Sequence, residues 1–174
     1  MDSVAIVTGG SRGIGRATSL AAAKRGYKVV VGYASNKAAA DDVVGAIEAS
    51  NGKAIAVKCD VGIEADILNL FKQADAFGKL GALVNNAGVV DATARVDEMS
   101  AERLARMMNI NVVGSILCAR EAVKRMSSKH GGTGGVIVNL SSVAATLGSP
   151  AQYVDYAASK GAIDTFTVGL AREV

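Results

Sequence analysis

Two side chains near the end of the sequence, those of Tyr156 and Lys160, have the types and spacing that acid/base chemistry requires. If the chain is helical from Asp155 onward, the phenol and the ammonium project from one face, one turn apart. A free tyrosine has a pKa of about 10, and a nearby ammonium lowers that pKa by favouring the phenolate. Such a pair can exchange a proton with a carbonyl or alcohol oxygen near neutral pH.

Tyr153 is the alternative phenol. It lies seven residues before Lys160, about 10.5 Å along a helix axis, so Tyr156 is the better candidate. The spacing Tyr-x-x-x-Lys also occurs by chance on many helices as a solvated pair. The assignment therefore depends on whether the rest of the chain supplies a cofactor site.

A glycine-rich turn near the N-terminus predicts such a site. The apolar residues 4–7 are followed by Thr-Gly-Gly-Ser-Arg-Gly-Ile-Gly over residues 8–15 and then by a predicted helix, residues 16–25, closed by Gly26. A strand, a glycine turn and a helix bring backbone NH groups and the positive helix end to a pyrophosphate. The spacing differs from Gly-x-Gly-x-x-Gly, and an ordinary strand-to-helix turn is the alternative.

The residues that follow the second predicted strand, Lys28–Tyr33, favour NADP over NAD. In NAD-binding folds an acidic residue about twenty positions beyond the glycines binds the ribose 2′-hydroxyl. Residues 33–36 contain no acid, and the first, Asp41, falls inside a predicted helix over residues 37–50. Arg12, in the glycine turn, offers a guanidinium to a 2′-phosphate. A solvated Arg12 without a role in cofactor binding is the alternative.

Strands and helices alternate along the rest of the chain, which predicts an α/β fold with a parallel sheet covered by helices on both faces. The further predicted strands are residues 54–58, 82–84 and 136–140, and the further helices are residues 63–78, residues 101–128 and a last helix that begins at Ser149 or nearer Asp155. The loops after the first, third and fourth strands, residues 8–15, 60–61 and 85–88, then open on one edge of the sheet. Each of them is also readable as an isolated polar turn.

Two asparagines, Asn109 and Asn111, fall inside the long predicted helix that Ser100 caps. Asparagine is disfavoured in a helix interior, which points to one of the two facing the site. A surface or capping role is equally compatible with the pattern.

Composition favours one domain that spans residues 1–174. Half of the 174 residues are apolar, and the net charge of +3 comes from interleaved acids and bases, which argues against a nucleic-acid or membrane surface. No apolar run approaches about eighteen residues and no basic leader is present, so we expect a cytoplasmic protein. Cys59 and Cys118 are expected to be buried thiols, and a single histidine, His130, argues against a metal site.

The sequence resembles the short-chain dehydrogenase/reductase family over essentially the whole chain. Three motifs carry the resemblance in the order that the family has: the glycine turn, Asn85-Asn-Ala-Gly88, and the segment with the Ser and Tyr-x-x-x-Lys. The resemblance implies a doubly wound parallel sheet of the Rossmann type, with three α/β/α layers. It implies Tyr156 as the acid/base, Lys160 as the lysine that assists it and holds the nicotinamide ribose, and Ser142, rather than Ser141, as the serine that hydrogen-bonds the substrate oxygen. Asn111 would seat a water in the proton relay.

The resemblance also implies the residues that bind the cofactor, NADP(H) in preference to NAD(H). The complete predicted set is Gly9, Ser11, Arg12, Gly13, Ile14, Gly15, Tyr33, Ser35, Asn36, Asp60, Val61, Asn86, Ala87, Gly88, Tyr156 and Lys160. Family members continue well beyond Val174 with two more strands, so we expect this chain to lack the C-terminal part of the family. Their last helices pair between subunits, which predicts a homodimer or homotetramer.

The sequence therefore predicts an NADP-dependent oxidoreductase acting on a small carbonyl or alcohol. A non-catalytic nucleotide-binding or oligomerisation domain is the main alternative, because a fold does not guarantee its chemistry. A sugar-nucleotide epimerase shares Tyr-x-x-x-Lys but has a different glycine spacing. A methyltransferase would keep the glycine turn but has no use for Tyr156 and Lys160.

Overall fold

Five parallel strands form the centre of the molecule, described for residues 3–174 by a computed structural model. The strands are β1 (Ser3–Val7), β2 (Lys28–Tyr33), β3 (Ala54–Lys58), β4 (Lys79–Asn85) and β5 (Val136–Asn139), in the order β3-β2-β1-β4-β5. The chain adds strands on one side of β1 and then returns to add β4 and β5 on the other. This confirms the doubly wound sheet and places its switch point between β1 and β4. Residues 1 and 2 of the predicted 1–174 domain lie outside the described residues.

Helices lie between the strands, and two more follow β5. They are α1 (Gly13–Lys24), α2 (Lys37–Glu48), α3 (Glu64–Phe77), α4 (Ala101–Met108), α5 (Gly114–Met126), α6 (Ala144–Leu147) and α7 (Val154–Glu173), with single 3-10 turns at Val96–Glu98 and Ser128–His130. Within residues 3–174, none of these helices combines the length and the apolar character needed to cross a bilayer.

Alternate residues of the strands build one apolar cluster on each face of the sheet, as the two-residue period of a strand requires. Ile6 and Leu83 pack with Phe71 of α3 and Cys118 of α5, whereas their neighbours Val7 and Val84 share a cluster with α2 on the other face. This arrangement confirms the three-layer α/β/α architecture.

Both cysteines belong to the cluster under α3 and α5 and are unpaired. Burial raises the pKa of the Cys59 thiol to about 12 and raises the pKa of Cys118 as well, because desolvation disfavours the thiolate. The two residues act as small apolar side chains, as expected from the sequence.

The prediction of one continuous helix over residues 101–128 is wrong in the middle of that range. Ser100 caps α4 by accepting from the NH of Arg103 at 3.2 Å, but a π-helical turn, Asn109–Val113, separates α4 from α5. The last helix begins at Val154, so the predicted start near Asp155 is confirmed and the start at Ser149 is wrong. The short helix α6 was not predicted.

Candidate active site

The glycine turn packs against the start of α1 and the end of β4. Gly9 has a left-handed φ of +61°, which favours glycine. A Cβ atom on Gly15 would overlap the Gly9 carbonyl oxygen and crowd the amide nitrogen of Asn86. A side chain at Gly15 would therefore push the helix away from the turn, and one at Gly9 would crowd Asn86 and Ala87.

Thr8 and Asn86 hold this turn at the switch point. The buried Thr8 hydroxyl accepts from the backbone NH groups of Asn86 and Ala87, both at 3.0 Å, and donates to the Val84 carbonyl at 3.3 Å. The Asn86 side chain donates to the carbonyl oxygens of Thr8 and Gly9 at 2.8 and 2.9 Å. These bonds fix the ends of β1 and β4 to each other.

A cavity of about 580 Å³ opens over this edge of the sheet. Twelve predicted cofactor residues line it: Gly9, Ser11, Arg12, Gly13, Ile14, Ser35, Asn36, Asp60, Val61, Asn86, Ala87 and Gly88. The loops after β1, β2, β3 and β4 therefore converge on one cavity, as expected from a parallel sheet.

Four predicted residues do not line the cavity. Gly15 is buried beneath the turn, where it allows the close packing described above. Tyr33 is 7% exposed and belongs to the apolar cluster on the α2 face. Its place follows from the alternation of Val29, Val31 and Tyr33 along β2, a signal that the sequence contained. Tyr156 and Lys160 lie on α7, beyond the Gly88 end of the cavity.

The charges along the cavity are mainly basic. Arg12 and Arg106 both line it, and Asp60 is its only carboxylate among the described residues. Asn36 uses its side-chain oxygen to cap α2, accepting from the NH of Ala39 at 2.9 Å. Sequence reasoning missed Arg106, because its position in α4 resembles that of any residue on a polar helix face.

Lys160 is buried, with 6% of its surface exposed, and its ammonium donates to the Leu140 carbonyl at the end of β5, at 2.7 Å. Its nitrogen lies 5.7 Å from the centre of the Tyr156 ring. Burial lowers the pKa of Lys160, and the Asp164 carboxylate opposes that shift. The structure thus places a desolvated amine beside the half-buried phenol.

Asn111 is buried in the π-helical turn and joins α7 to the loop after β4. Its side chain accepts from the NH of Val89 at 2.8 Å, donates to the Val89 carbonyl at 2.9 Å and donates to the Ser159 hydroxyl at 3.1 Å. Ser159 in turn donates to the Tyr156 carbonyl at 2.7 Å. The other asparagine, Asn109, is exposed and donates to the Gly62 carbonyl at 2.9 Å.

The two serines after β5 lie beside α7. Ser142 accepts from the NH of Ala144 at 3.2 Å in the turn that leads into α6, and Ser141 donates to the Lys160 carbonyl at 3.4 Å. The Ser142 hydroxyl keeps its proton available for a further acceptor.

Gly88 connects the cavity to the residues of α7. It lines the cavity, and a Cβ atom built on it would lie 3.3 Å from the Asn111 side-chain oxygen and 3.8 Å from the Lys160 nitrogen. A ligand that fills the cavity past Gly88 would therefore reach Lys160 and its neighbour Tyr156.

Comparisons with known proteins agree with this geometry. Residues 3–174 match the family model described as short chain dehydrogenase. The uncharacterized oxidoreductase YgfF of Escherichia coli (strain K12) is 53% identical over 172 residues, which cover 98% of this chain and 70% of that protein. The 3-oxoacyl-(acyl-carrier-protein) reductase of Synechocystis is 41% identical, covering 98% of this chain and 68% of that protein.

A solved structure is similar as well. A short chain dehydrogenase from Burkholderia cenocepacia J2315, crystallised in complex with NADP, has a TM-score of 0.91 and 35% identity, covering 99% of this chain and 69% of that one. The chain thus spans about two thirds of the length of these proteins.

We predict that Thr8→Val destabilises the fold and weakens nucleotide binding. Valine has nearly the shape of threonine, but it removes the acceptor of the Ala87 NH, which costs about 1–3 kcal/mol. The Asn86 NH loses the same acceptor and keeps its bond to the Val84 carbonyl at 3.1 Å. Chemical denaturation measures the loss, and Thr8→Ser, which retains the hydroxyl, should recover most of it. Equal destabilisation by both variants would show that methyl packing, not the hydroxyl, is responsible.

A second prediction concerns pH. Because Lys160 loses its proton at lower pH when folded than when unfolded, the unfolded chain binds more protons below the ordinary lysine pKa of about 10.4. The free energy of unfolding of the wild type should therefore rise relative to that of Lys160→Met as the pH increases toward the ordinary lysine pKa of about 10.4. Denaturant titrations across this range test it, and a difference that stays constant or falls would contradict a lowered pKa.

Proposed function

The chain belongs to the short-chain dehydrogenase/reductase family, and from this premise we propose that it is an NADP-dependent oxidoreductase that interconverts a carbonyl and a secondary alcohol. The observation that carries the proposal is the placement of buried Lys160, with Tyr156 beside it, at the Gly88 end of the cavity. The cavity supplies room for a dinucleotide, and the pair supplies a proton donor where that cavity ends.

The residues around the cavity fit a nicotinamide dinucleotide. The glycine turn and the positive end of α1 are suited to bind the pyrophosphate. Asp60 and Val61 would contact the adenine, and residues 86–88 would contact the adenine ribose. Lys160 would hold the nicotinamide ribose. When bound, the coenzyme supplies or accepts the hydride.

In the reduction direction, Tyr156 donates its phenolic proton to the carbonyl oxygen, and Ser142 donates a hydrogen bond to the same oxygen. Donors aimed at the oxygen where negative charge develops lower the barrier. The Lys160 ammonium stabilises the phenolate that Tyr156 becomes. Asn111 holds the Tyr156 turn in place through Ser159 and, by resemblance to the family, seats a water that returns a proton. In the oxidation direction the same groups act in reverse.

A preference for NADP over NAD is supported by the charges near the end of β2. Residues 34–36 line the cavity without a carboxylate that would repel a 2′-phosphate, and Arg12 lines the same cavity. The similar Burkholderia cenocepacia dehydrogenase was crystallised with NADP. The guanidinium of Arg12 can bind a phosphate through two parallel hydrogen bonds.

A homodimer or homotetramer is supported by an apolar stripe on α4, the π-helical turn and α5. Its members are 37–45% exposed, and they are Leu104, Met108, Val113 and Ile116. An exposed contiguous stripe of this kind favours association with another apolar surface. Analytical ultracentrifugation of the chain reports its assembly directly.

A non-catalytic nucleotide-binding domain is the second candidate. It is kept because a dinucleotide-binding fold does not by itself guarantee catalysis. Calorimetric titration with NADPH followed by turnover on a panel of small ketones and aldehydes separates the two functions. Binding without turnover would support the second.

We expect Tyr156→Phe to lower the rate of NADPH-dependent carbonyl reduction by about 10²- to 10⁴-fold, since the phenylalanine ring has no proton to donate. The Kd for NADPH should remain close to that of the wild type. Tyr27→Phe removes a phenol that precedes β2, at the opposite edge of the sheet, and serves as the control. Retained turnover in Tyr156→Phe would refute the acid/base role.

Arg12→Ala should weaken NADPH binding by about tenfold or more while changing the NADH affinity little, because only NADPH carries the 2′-phosphate. Fluorescence titration with both coenzymes measures the two Kd values. Arg16→Ala removes an exposed arginine of α1 that does not line the cavity and is the matched control. Equal losses for NADPH and NADH in Arg12→Ala would overturn the assignment.

A further inference from the structure

Arg103 of α4 forms a bidentate ion pair, called the fork below, with Asp155, the residue before Tyr156. The Arg103 Nε donates to Asp155 Oδ2 at 2.8 Å, and its Nη2 donates to Asp155 Oδ1 at 3.2 Å. The two side chains are 13% and 2% exposed. A planar fork of this kind fixes orientation as well as distance, which a lysine in the same place would not.

The same guanidinium also holds the loop that follows β4. Its Nη1 donates to the Ala92 carbonyl at 2.6 Å. That loop has two further bonds to the start of α7: the NH of Ala94 donates to the Gln152 carbonyl at 3.1 Å, and the Thr93 hydroxyl donates to the Tyr153 hydroxyl at 3.2 Å. Arg103 therefore lies where α4, the loop and the first turn of α7 meet.

Asp155 is suited to remain ionised in this position. The hydrogen bond from Arg103 lowers the pKa of the Asp155 carboxyl, against the opposing effect of burial, and backbone NH groups of the first helical turn act in the same direction as Arg103. A carboxylate in the first turn of a helix is also stabilised by the helix dipole. The N-cap residue of α7, Tyr153, makes no side-chain cap, so Asp155 is the residue that anchors this turn.

Tyr156 follows Asp155 directly, so any rotation of this first turn moves the phenol. Lys160 is held independently by the Leu140 carbonyl, and the Tyr156 carbonyl is held by Ser159. Arg103 adds a charged restraint from the side of α4 to the hydrogen bonds that Ala94 and Thr93 make with the start of α7. Loss of the fork would leave the helix folded, with its first turn held to the loop by those weaker bonds and therefore more mobile relative to it.

We propose that Arg103 is a positioning residue: through Asp155 and the Ala92 carbonyl it fixes Tyr156 and the loop of residues 91–95 relative to each other at the substrate side of the site. The effect on catalysis rests on the proposed function. The mechanical inference, that Arg103 holds the loop and the first turn of α7 together, does not. Arg103 and Asp155 neither line the cavity nor belong to the proposed acid/base residues, and this inference gives them a role.

The test compares Arg103→Lys with Arg125→Lys. Arg125 of α5 forms an equivalent fork with Asp75 of α3, with bonds of 2.8 and 2.9 Å, remote from α7. Hydrogen–deuterium exchange followed by mass spectrometry reports on both regions. We expect Arg103→Lys to accelerate exchange in residues 91–95 and 152–157, and Arg125→Lys to leave these two segments as in the wild type.

Steady-state kinetics distinguish positioning from a purely structural role, because only positioning changes kcat without changing coenzyme binding. Arg103→Lys should lower kcat for carbonyl reduction by about 10- to 100-fold with little change in the Kd for NADPH, since a displaced proton donor affects the reaction more than coenzyme binding. Asp155→Asn should behave alike, and the double variant should be no worse than either single variant, because the two residues act as one unit.

Unchanged exchange in the two segments, or acceleration spread evenly over the chain, would overturn the mechanical inference. Accelerated exchange with kcat unchanged would overturn the catalytic one. A wild-type chain without turnover would count against the proposed function, and the exchange experiment would still decide whether Arg103 holds the loop and the helix together.

Discussion

The burial of the Lys160 ammonium is the constraint on which the site depends. A charged amine taken out of water needs acceptors, and the chain supplies one in the Leu140 carbonyl at the end of β5. That bond ties α7 to the sheet at the place where the cavity ends, and it keeps the amine within 5.7 Å of the centre of the Tyr156 ring. A lysine in solvent would lose most of its influence on the phenol to screening. Burial therefore keeps the amine where the proposed acid/base chemistry of Tyr156 requires it.

The remaining parts follow from the topology. The switch point between β1 and β4 brings two loops side by side, and Thr8 and Asn86 lock them with hydrogen bonds. Gly88 then continues from the locked loop to within reach of Asn111 and Lys160. In the proposed function, binding and chemistry are assigned to different elements that meet at Gly88, where a Cβ atom would lie 3.3 Å from the Asn111 side-chain oxygen.

Most of the fold could be predicted from the sequence, because its strands are short apolar runs and two of its helices, α2 and α4, begin at residues whose side chains cap them. The boundaries of β2 and β3 were correct, and the caps at Asn36 and Ser100 were found. The π-helical turn was missed, since it is associated with bonds from Asn111 to residues 22 and 48 positions away. The fork between Arg103 and Asp155 joins residues 52 positions apart, and no local pattern marks such a pair. Tyr33 was assigned to the cofactor although strand alternation places it in the core.

The central claim is that Tyr156 delivers a proton to a carbonyl oxygen under the influence of Lys160. A crystal structure of the chain with NADPH and a bound ketone tests it most directly. The account predicts the Tyr156 hydroxyl within hydrogen-bonding distance of the ketone oxygen, with the Lys160 ammonium still buried behind it. A ketone oxygen held by other groups, with the Tyr156 hydroxyl directed into solvent, would contradict the account.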